Sequence, residues 1–179
     1  MLRVTALSNC ERVELKLNGR SLGKRALKGG TSAVFDVKYQ AGELKAVGFR
    51  HGVAVATNRL VSASAPVAIR LETDRGVLPA DGRSIARVIA SVVDKNGNVV
   101  YPAGDLLSAS VEGAGRLLGV DNGDLMDTTA LASPTKHVKD GWALVLVQAT
   151  DATGEIMVRV EAPGLKGARL LLRSQTVQQ

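Results

Sequence analysis

A long run of small and β-branched side chains between two tight-turn signals is the feature that most constrains this sequence. The run lies within residues 78–98, where Asp81-Gly82 precedes it and Asn96-Gly97 ends it. Both dipeptides accept the positive φ angles of tight turns, and β-branched residues favour extended backbone. We therefore predict a strand at the centre of a sheet. The residues that we expect to face the core are Ala86, Val88, Ala90 and Val92.

The rest of the chain repeats this alternation in shorter segments. Residues 12–17 alternate apolar and charged side chains, and Asn18-Gly19 follows directly, which predicts a two-residue hairpin. No helical period of useful length occurs, so the predicted fold class is all-β. Strands are predicted over residues 2–8, 12–17, 20–24, 33–37, 43–50, 53–61, 67–71, 85–93, 107–111, 116–120, 142–149, 155–162 and 168–173.

The segment Ser62-Ala63-Ser64-Ala65-Pro66 is the predicted domain boundary. It consists of small residues, and Pro66 has no N–H with which to continue a β-ladder. We predict two tandem Ig-like or fibronectin-III-like β-sandwiches, over residues 1–63 and 64–179. Lys28-Gly29-Gly30 is predicted to be flexible, and residues 174–179 are predicted to form a frayed tail.

Cysteine, histidine and motif content argue against catalytic chemistry in this chain. Cys10 is the only cysteine, which excludes an internal disulfide and a cysteine-based metal site. His51 and His137 lie in predicted turns or loops without ligand spacing, and we expect both to be solvated. No nucleophile elbow, P-loop or dinucleotide fingerprint occurs. We therefore predict no catalytic residue and no cofactor.

The charge distribution argues against nucleic acid as a partner. The net charge is +6, but residues 1–64 hold 11 Lys or Arg against 4 Asp or Glu, while the remainder is nearly balanced. The basic residues alternate with apolar ones or fill turns, and aromatic residues are not interleaved with them. No run of about 18 apolar residues is present, so no membrane span is predicted either. A signal-peptide pattern is also absent from the N-terminus, which leaves the compartment open.

Two short features are candidates for binding. The carboxylate and amide oxygens of Asp121, Asn122 and Asp124 could wrap a hard cation such as Ca²⁺, although the spacing of an EF-hand is absent. The other interpretation is a turn in which these side chains bond to their own backbone, within a long aperiodic loop over residues 121–134. Trp142 could stack on a sugar ring or pack against its own sheet.

The order of motifs resembles a known family. Residues 8–23, SNCERVELKLNGRSLG, and residues 39–48, YQAGELKAVG, are similar to the Ig-like domain that follows the catalytic barrel in bacterial β-galactosidases of glycoside hydrolase family 2. Residues 66–124, with Ala80-Asp81-Gly82 and Gly119-Val120-Asp121-Asn122-Gly123-Asp124, resemble the next C-terminal domain of these enzymes, which is similar to bacterial Ig-like, invasin-type repeats. Residues 127–139 depart from the family pattern.

The resemblance implies a longer, retaining glycoside hydrolase with two catalytic Glu residues on a (β/α)₈ barrel. Those residues map onto no position of this sequence, so the chain is expected to be non-catalytic. Its expected roles are to brace the barrel, to shape the substrate entrance or to mediate oligomer contacts, in a periplasmic or secreted parent. The alternatives are a carbohydrate-binding module centred on Trp142 and the loop 121–134, and an adhesin-type surface repeat.

Overall fold

The computed structural model describes residues 1–27 and 31–176, and within them the chain forms β-strands and no helix. The described part accordingly offers no helix long and apolar enough to cross a membrane. The all-β prediction is confirmed. The chain divides into two compact units, Met1–Ser62 (unit 1) and Ala63–Gln179 (unit 2). The predicted limit between residues 63 and 64, as a limit between separately folding domains, stays a prediction.

Unit 1 is built from a narrow sheet and a wide sheet. The narrow sheet contains β1 and β4, and the wide sheet has the order β3-β2-β5-β6. Every strand that the alternation predicts in this half is present, three of them with the predicted bounds. The strands are β1 (Leu2–Leu7), β2 (Arg12–Leu17), β3 (Arg20–Ala26), β4 (Ser32–Val37), β5 (Glu43–Arg50) and β6 (Val53–Val61).

The core of unit 1 lies between these sheets, with Val13 and Leu15 of β2 facing Phe35 of β4. Each of these side chains is almost completely buried. The hairpin between β2 and β3 turns at Asn18-Gly19, with φ angles of 50° and 80°. Two consecutive positive φ angles are the signature of a type I′ turn, as the dipeptide predicts.

Unit 2 also contains two sheets. Their strand orders are β12-β10-β14-β15-β8 and β11-β13-β9-β7. All the pairs are antiparallel except β8 with β15, which run parallel. The strands are β7 (Pro66–Thr73), β8 (Val77–Pro79), β9 (Ile85–Asp94), β10 (Leu106–Gly113), β11 (Gly115–Asp121), β12 (Thr135–His137), β13 (Trp142–Ala149), β14 (Gly154–Glu161) and β15 (Ala168–Gln175).

The predicted central strand is β9, which lies between β13 and β7. Its core-facing residues are completely inaccessible to solvent, as the alternation predicts; they are Ala86, Val88, Ala90 and Val92. On the opposite face Ile85 and Ile89 are exposed, whereas Ser91 and Val93 are buried. That face is therefore only partly covered, as the mixed composition of the strand indicates.

The sequence prediction differs from unit 2 in four places. The three-residue strands β8 and β12 are too short to show a period, so the alternation does not predict them. His137 belongs to β12 and not to a loop, although its side chain is exposed. Ser174 is buried and paired within β15, so the predicted frayed tail is wrong at that position.

The predicted flexibility of residues 28–30 and of residues 177–179 lies outside the described residues.

Candidate functional site

The loop 122–134, which joins β11 to β12, is ordered by its own side chains. In this loop an Asp or Asn oxygen repeatedly accepts a hydrogen bond from the backbone N–H two residues further on, which is the geometry of Asx turns. The acceptor and donor pairs are Asp121 and Gly123 (3.1 Å), Asn122 and Asp124 (3.0 Å), Asp124 and Met126 (3.0 Å), and Asp127 and Thr129 (2.8 Å).

The buried side chain of Lys136 holds this loop in place. It lies on β12 and is only 2% exposed, an unusual position for an ammonium group. Its Nζ donates to the Thr129 carbonyl oxygen at 2.7 Å and lies 3.5 Å from Asp127 Oδ2. The buried Asn122 amide adds hydrogen bonds to Asp127 Oδ2 at 2.8 Å and to the His137 carbonyl oxygen at 3.0 Å. The network thus ties the beginning and the middle of the loop to β12.

Asp127 is the anion that compensates Lys136. Hydrogen bonds from the backbone and side chain of Thr129, then from Asn122, together with the Lys136 charge, lower the pKa of Asp127 to about 2. The carboxylate is therefore ionised throughout the physiological pH range. A buried cation needs such a partner and several hydrogen bonds to offset the loss of its hydration.

The predicted cation ligands are occupied by contacts within the loop. Asp121, Asn122 and Asp124 accept backbone N–H groups, and Asp124 Oδ2 also lies 3.5 Å from Lys139 Nζ. Across residues 1–27 and 31–176, no group of three or more His, Cys, Asp or Glu side chains is arranged to hold a metal ion. Calcium binding at this turn stays a hypothesis.

Trp142 lies beside the same loop. It begins β13 after a tight turn at Asp140-Gly141, whose φ angles are 50° and 77°. A Cβ built on Gly123 would be 3.7 Å from Cη2 of the indole, so the ring extends along the backbone of the turn. Trp142 is nevertheless 36% exposed. The structure thus brings together the two candidate features that the sequence leaves apart, because β11 pairs with β13.

Some components of this region are not evident in the sequence. A lysine in a short alternating segment is expected to face solvent, so the neighbouring sequence does not indicate that Lys136 is buried. Leu125 and Met126 are 100% and 86% exposed in this loop, and its lack of periodicity does not indicate which side chains face solvent. Asp140-Gly141 is the one local signal that could have located the turn before Trp142.

The remaining candidate residues lie apart from this loop or take no part in a catalytic arrangement. Cys10 is buried within unit 1. His51 is exposed at a turn, with Nδ1 3.3 Å from Glu11 Oε1. His137 Nδ1 lies 2.8 Å from the Gly104 carbonyl oxygen. A nucleophile, a base and an orienting acid are not combined by any of these contacts.

The family of the chain follows from the sequence of unit 2. Residues 69–170 match the family model described as glycoside hydrolase family 2 C-terminal domain 5. This chain belongs to that family. Residues 1–56 match a second model, which is described as a domain of unknown function (DUF4982). The resemblance stated from the sequence motifs is thereby confirmed.

Relatives in this family carry both units as a small part of a longer chain. The β-galactosidase BoGH2A of Bacteroides ovatus is 30% identical over 94% of this chain, which spans 20% of that protein. A family 2 glycosyl hydrolase of Bacteroides cellulosilyticus has 32% identity and a TM-score of 0.89, with 97% of this chain and 23% of that one covered. A β-glycosidase of Bacteroides vulgatus has 31% identity and a TM-score of 0.92, with 96% of this chain and 22% of that one covered. This chain therefore spans about a fifth of the length of these relatives.

Proposed function

We propose that this chain is the non-catalytic C-terminal β-sandwich region of a family 2 glycosidase that acts on β-galactosides. In this proposal it braces the catalytic barrel of the same polypeptide, and contributes to the substrate entrance or to oligomer contacts. The observation that carries the proposal is the alignment of 94% of the chain with one fifth of a β-galactosidase. The Asx-turn loop, whose polar groups serve its own backbone, agrees with a structural role.

The tip of the loop 122–134 is the surface best suited to contact the rest of such a polypeptide. Leu125 and Met126 are almost fully exposed, and Leu131 is 63% exposed. Apolar side chains grouped on one ordered loop are typical of interaction surfaces. The Lys136 network holds the loop in place, so little conformational entropy would be lost when it docks.

The proposal is tested by measuring hydrolysis of a chromogenic β-galactoside by the isolated chain, the parent polypeptide and the parent lacking this region. We expect no turnover above buffer from the isolated chain and a loss of activity or thermal stability on deletion. Turnover by the isolated chain, or a parent that is unchanged by the deletion, would contradict the proposal.

The loop contact has its own test in the parent polypeptide. We expect the double substitution Leu125→Ser and Met126→Ser to lower the thermal stability or the kcat of the parent and to leave the isolated chain folded. Tyr101→Ser is the matched control, because Tyr101 is a 57% exposed residue at another turn of unit 2. Equal effects of the two variants would exclude the loop tip as a docking surface.

Sugar binding at Trp142 is the second candidate function. The observation that favours it is a partly exposed indole beside a polar turn, the combination that stacks on a sugar ring and bonds its hydroxyl groups. Trp142 is the only tryptophan, so its fluorescence reports on this site alone. Titration with galactose oligosaccharides should change the emission, and Trp142→Phe should abolish retention on a galactan column. Unchanged emission at millimolar sugar would eliminate this candidate.

A further inference from the structure

The narrow sheet of unit 1 does not cover the wide sheet. Neighbouring strands lie about 4.8 Å apart, so two strands span roughly 10 Å and four strands roughly 19 Å. The two-stranded sheet β1-β4 faces the four-stranded sheet β3-β2-β5-β6. Part of the wide sheet is therefore left without a layer above it, and both of its edge strands, β3 and β6, are exposed along nearly their whole length.

The margin at β6 borders an apolar cleft. Two adjoining cavities of about 250 Å³ and 320 Å³ lie between β1 and β6, and both are lined by Val4, Leu44 and Leu60. Leu60 lines both cavities and is still 57% exposed. Asn58, also on β6, lines the second cavity and is exposed as well. The cleft is thus an apolar, open continuation of the core of unit 1.

The edge of β1 beside this cleft has free backbone groups. Ser8 N–H donates to the Thr31 carbonyl oxygen, on the β4 side of the strand. Bonded and non-bonded pairs alternate along an antiparallel ladder, so Leu2, Val4 and Ala6 bond to β4, and the N–H and C=O groups of Arg3, Thr5 and Leu7 point the other way. Within the described residues, β1 pairs with β4 alone.

We propose that one further strand pairs with this free edge of β1 and covers Leu44 and Leu60. Its source is the same parent polypeptide, outside residues 1–179. The strand would be about six residues long, since it matches β1, and would place alternate apolar side chains in the cleft. This inference rests on the proposed function, in which the chain is part of a longer glycosidase.

Two observations favour the parent polypeptide as the source. Relatives that match nearly the whole chain are about five times longer, so the same molecule has ample chain from which to supply a strand. A second copy of the chain is disfavoured because residues 1–64 hold 11 basic against 4 acidic residues, so two such segments carry like net charges and repel each other.

Amide hydrogen exchange with residue resolution tests the inference. The amides of Arg3, Thr5 and Leu7 should exchange at least about tenfold more slowly in the parent than in the isolated chain. The amides of Val4 and Ala6 serve as internal controls, because they bond to β4 in both proteins. Protection that already appears in the isolated chain and rises with its concentration would assign the edge to a second copy, and would overturn the inference.

A matched pair of proline variants provides a second measurement. Thr5 and Val34 lie opposite each other in the β1-β4 ladder as a non-bonded pair, so each N–H points away from the other strand. Thr5→Pro removes a donor at the cleft edge and Val34→Pro removes one at the far edge of β4. In the isolated chain both should have similar effects. In the parent, Thr5→Pro should raise the rate of proteolysis within residues 1–62 several-fold more than Val34→Pro, and equal rates would contradict the added strand.

These outcomes separate this inference from the proposed function. A parent that needs residues 1–179 for activity or stability, with β1-edge amides that exchange as fast as in the isolated chain, would overturn the added strand only. A parent with protected amides that is unchanged by deleting residues 1–179 would overturn the supporting function, and the added strand would stand.

Discussion

The backbone N–H of Ser64 donates a hydrogen bond to Asp94 Oδ2 at 2.9 Å and so fastens the beginning of unit 2 to the end of its central strand. Asp94 is only 3% exposed. Its Oδ1 accepts hydrogen bonds from the backbone N–H groups of Asn96 and Asn98, each at 2.9 Å. These bonds, with that of Ser64 the largest contribution, hold the pKa of Asp94 well below its ordinary value.

We expect Asp94 to make unit 2 sensitive to acid. A carboxylate with a depressed folded-state pKa adds stability above its unfolded pKa of about 3.9, and this contribution is lost as the pH falls toward the folded-state pKa. Asp94→Asn should therefore lower the urea midpoint at neutral pH, and the difference from the wild type should shrink below about pH 4. Asp151→Asn, at an exposed turn, is the control, and a constant difference across this range would contradict the assignment.

Substitution of Lys136 should release the loop 122–134. Lys136→Met keeps the length of the side chain and removes the buried charge, which leaves Asp127 without its countercharge and the Thr129 carbonyl oxygen without this donor. Loss of one member of a buried ion pair is strongly destabilising, and we expect the melting temperature to fall by about 5 °C or more. Lys139→Met, whose side chain is 52% exposed, should have little effect. Similar melting temperatures for the two variants would disprove the anchoring role.

Gly141 should tolerate alanine less well than Gly97 does. Both glycines have positive φ angles, 77° and 79°, so either substitution has a backbone cost of about 1 kcal/mol. A Cβ at Gly141 would also come within 2.6 Å of the Val100 carbonyl oxygen, whereas one at Gly97 would meet nothing within 4 Å. Chemical denaturation should therefore rank Gly141→Ala below Gly97→Ala, and the reverse order would be inconsistent with this packing.

Leu78 should be a major contributor to the stability of unit 2. The side chain is completely buried, although it lies on a strand of only three residues. Leu78→Ala should reduce the free energy of unfolding by about 2–5 kcal/mol, because it removes buried methyl groups and leaves a cavity. The neighbouring Val77 is 49% exposed, and Val77→Ala should change the stability by less than about 0.5 kcal/mol. A neutral Leu78→Ala would show that β8 is not part of the folded core.

Local patterns predict most of the strands, because the alternation of apolar and polar side chains that marks a strand is visible within a few consecutive residues. Val13 and Leu15 alternate with charged side chains, and Asn18-Gly19 carries its own turn geometry. The pairing of β8 with β15 is different, since it joins residues far apart in sequence and no local period records it. The same limit applies to β12, whose three residues are too few to display an alternation.

The candidate site was predictable only in parts. The sequence indicates Trp142 and the Asp121–Asp124 turn only as separate features, and their proximity depends on the pairing of β11 with β13. The burial of Lys136 depends on the nearby carboxylate of Asp127, which Asn122 holds by a hydrogen bond, and composition cannot show this arrangement. The proposed function comes from the family resemblance, because no arrangement of side chains in the sequence indicates a function by itself.

The parallel pair β8-β15 also dictates an order of events during protein synthesis. β15 lies between β14 and β8, so this sheet of unit 2 cannot close until Gln175 has emerged from the ribosome. Until then Leu78 and the apolar face of β14 lack β15 and remain exposed. Exposed apolar surface of this kind can bind chaperones or associate incorrectly. The described strands of unit 1 end at Val61, so all of them have been synthesised while unit 2 is still being translated.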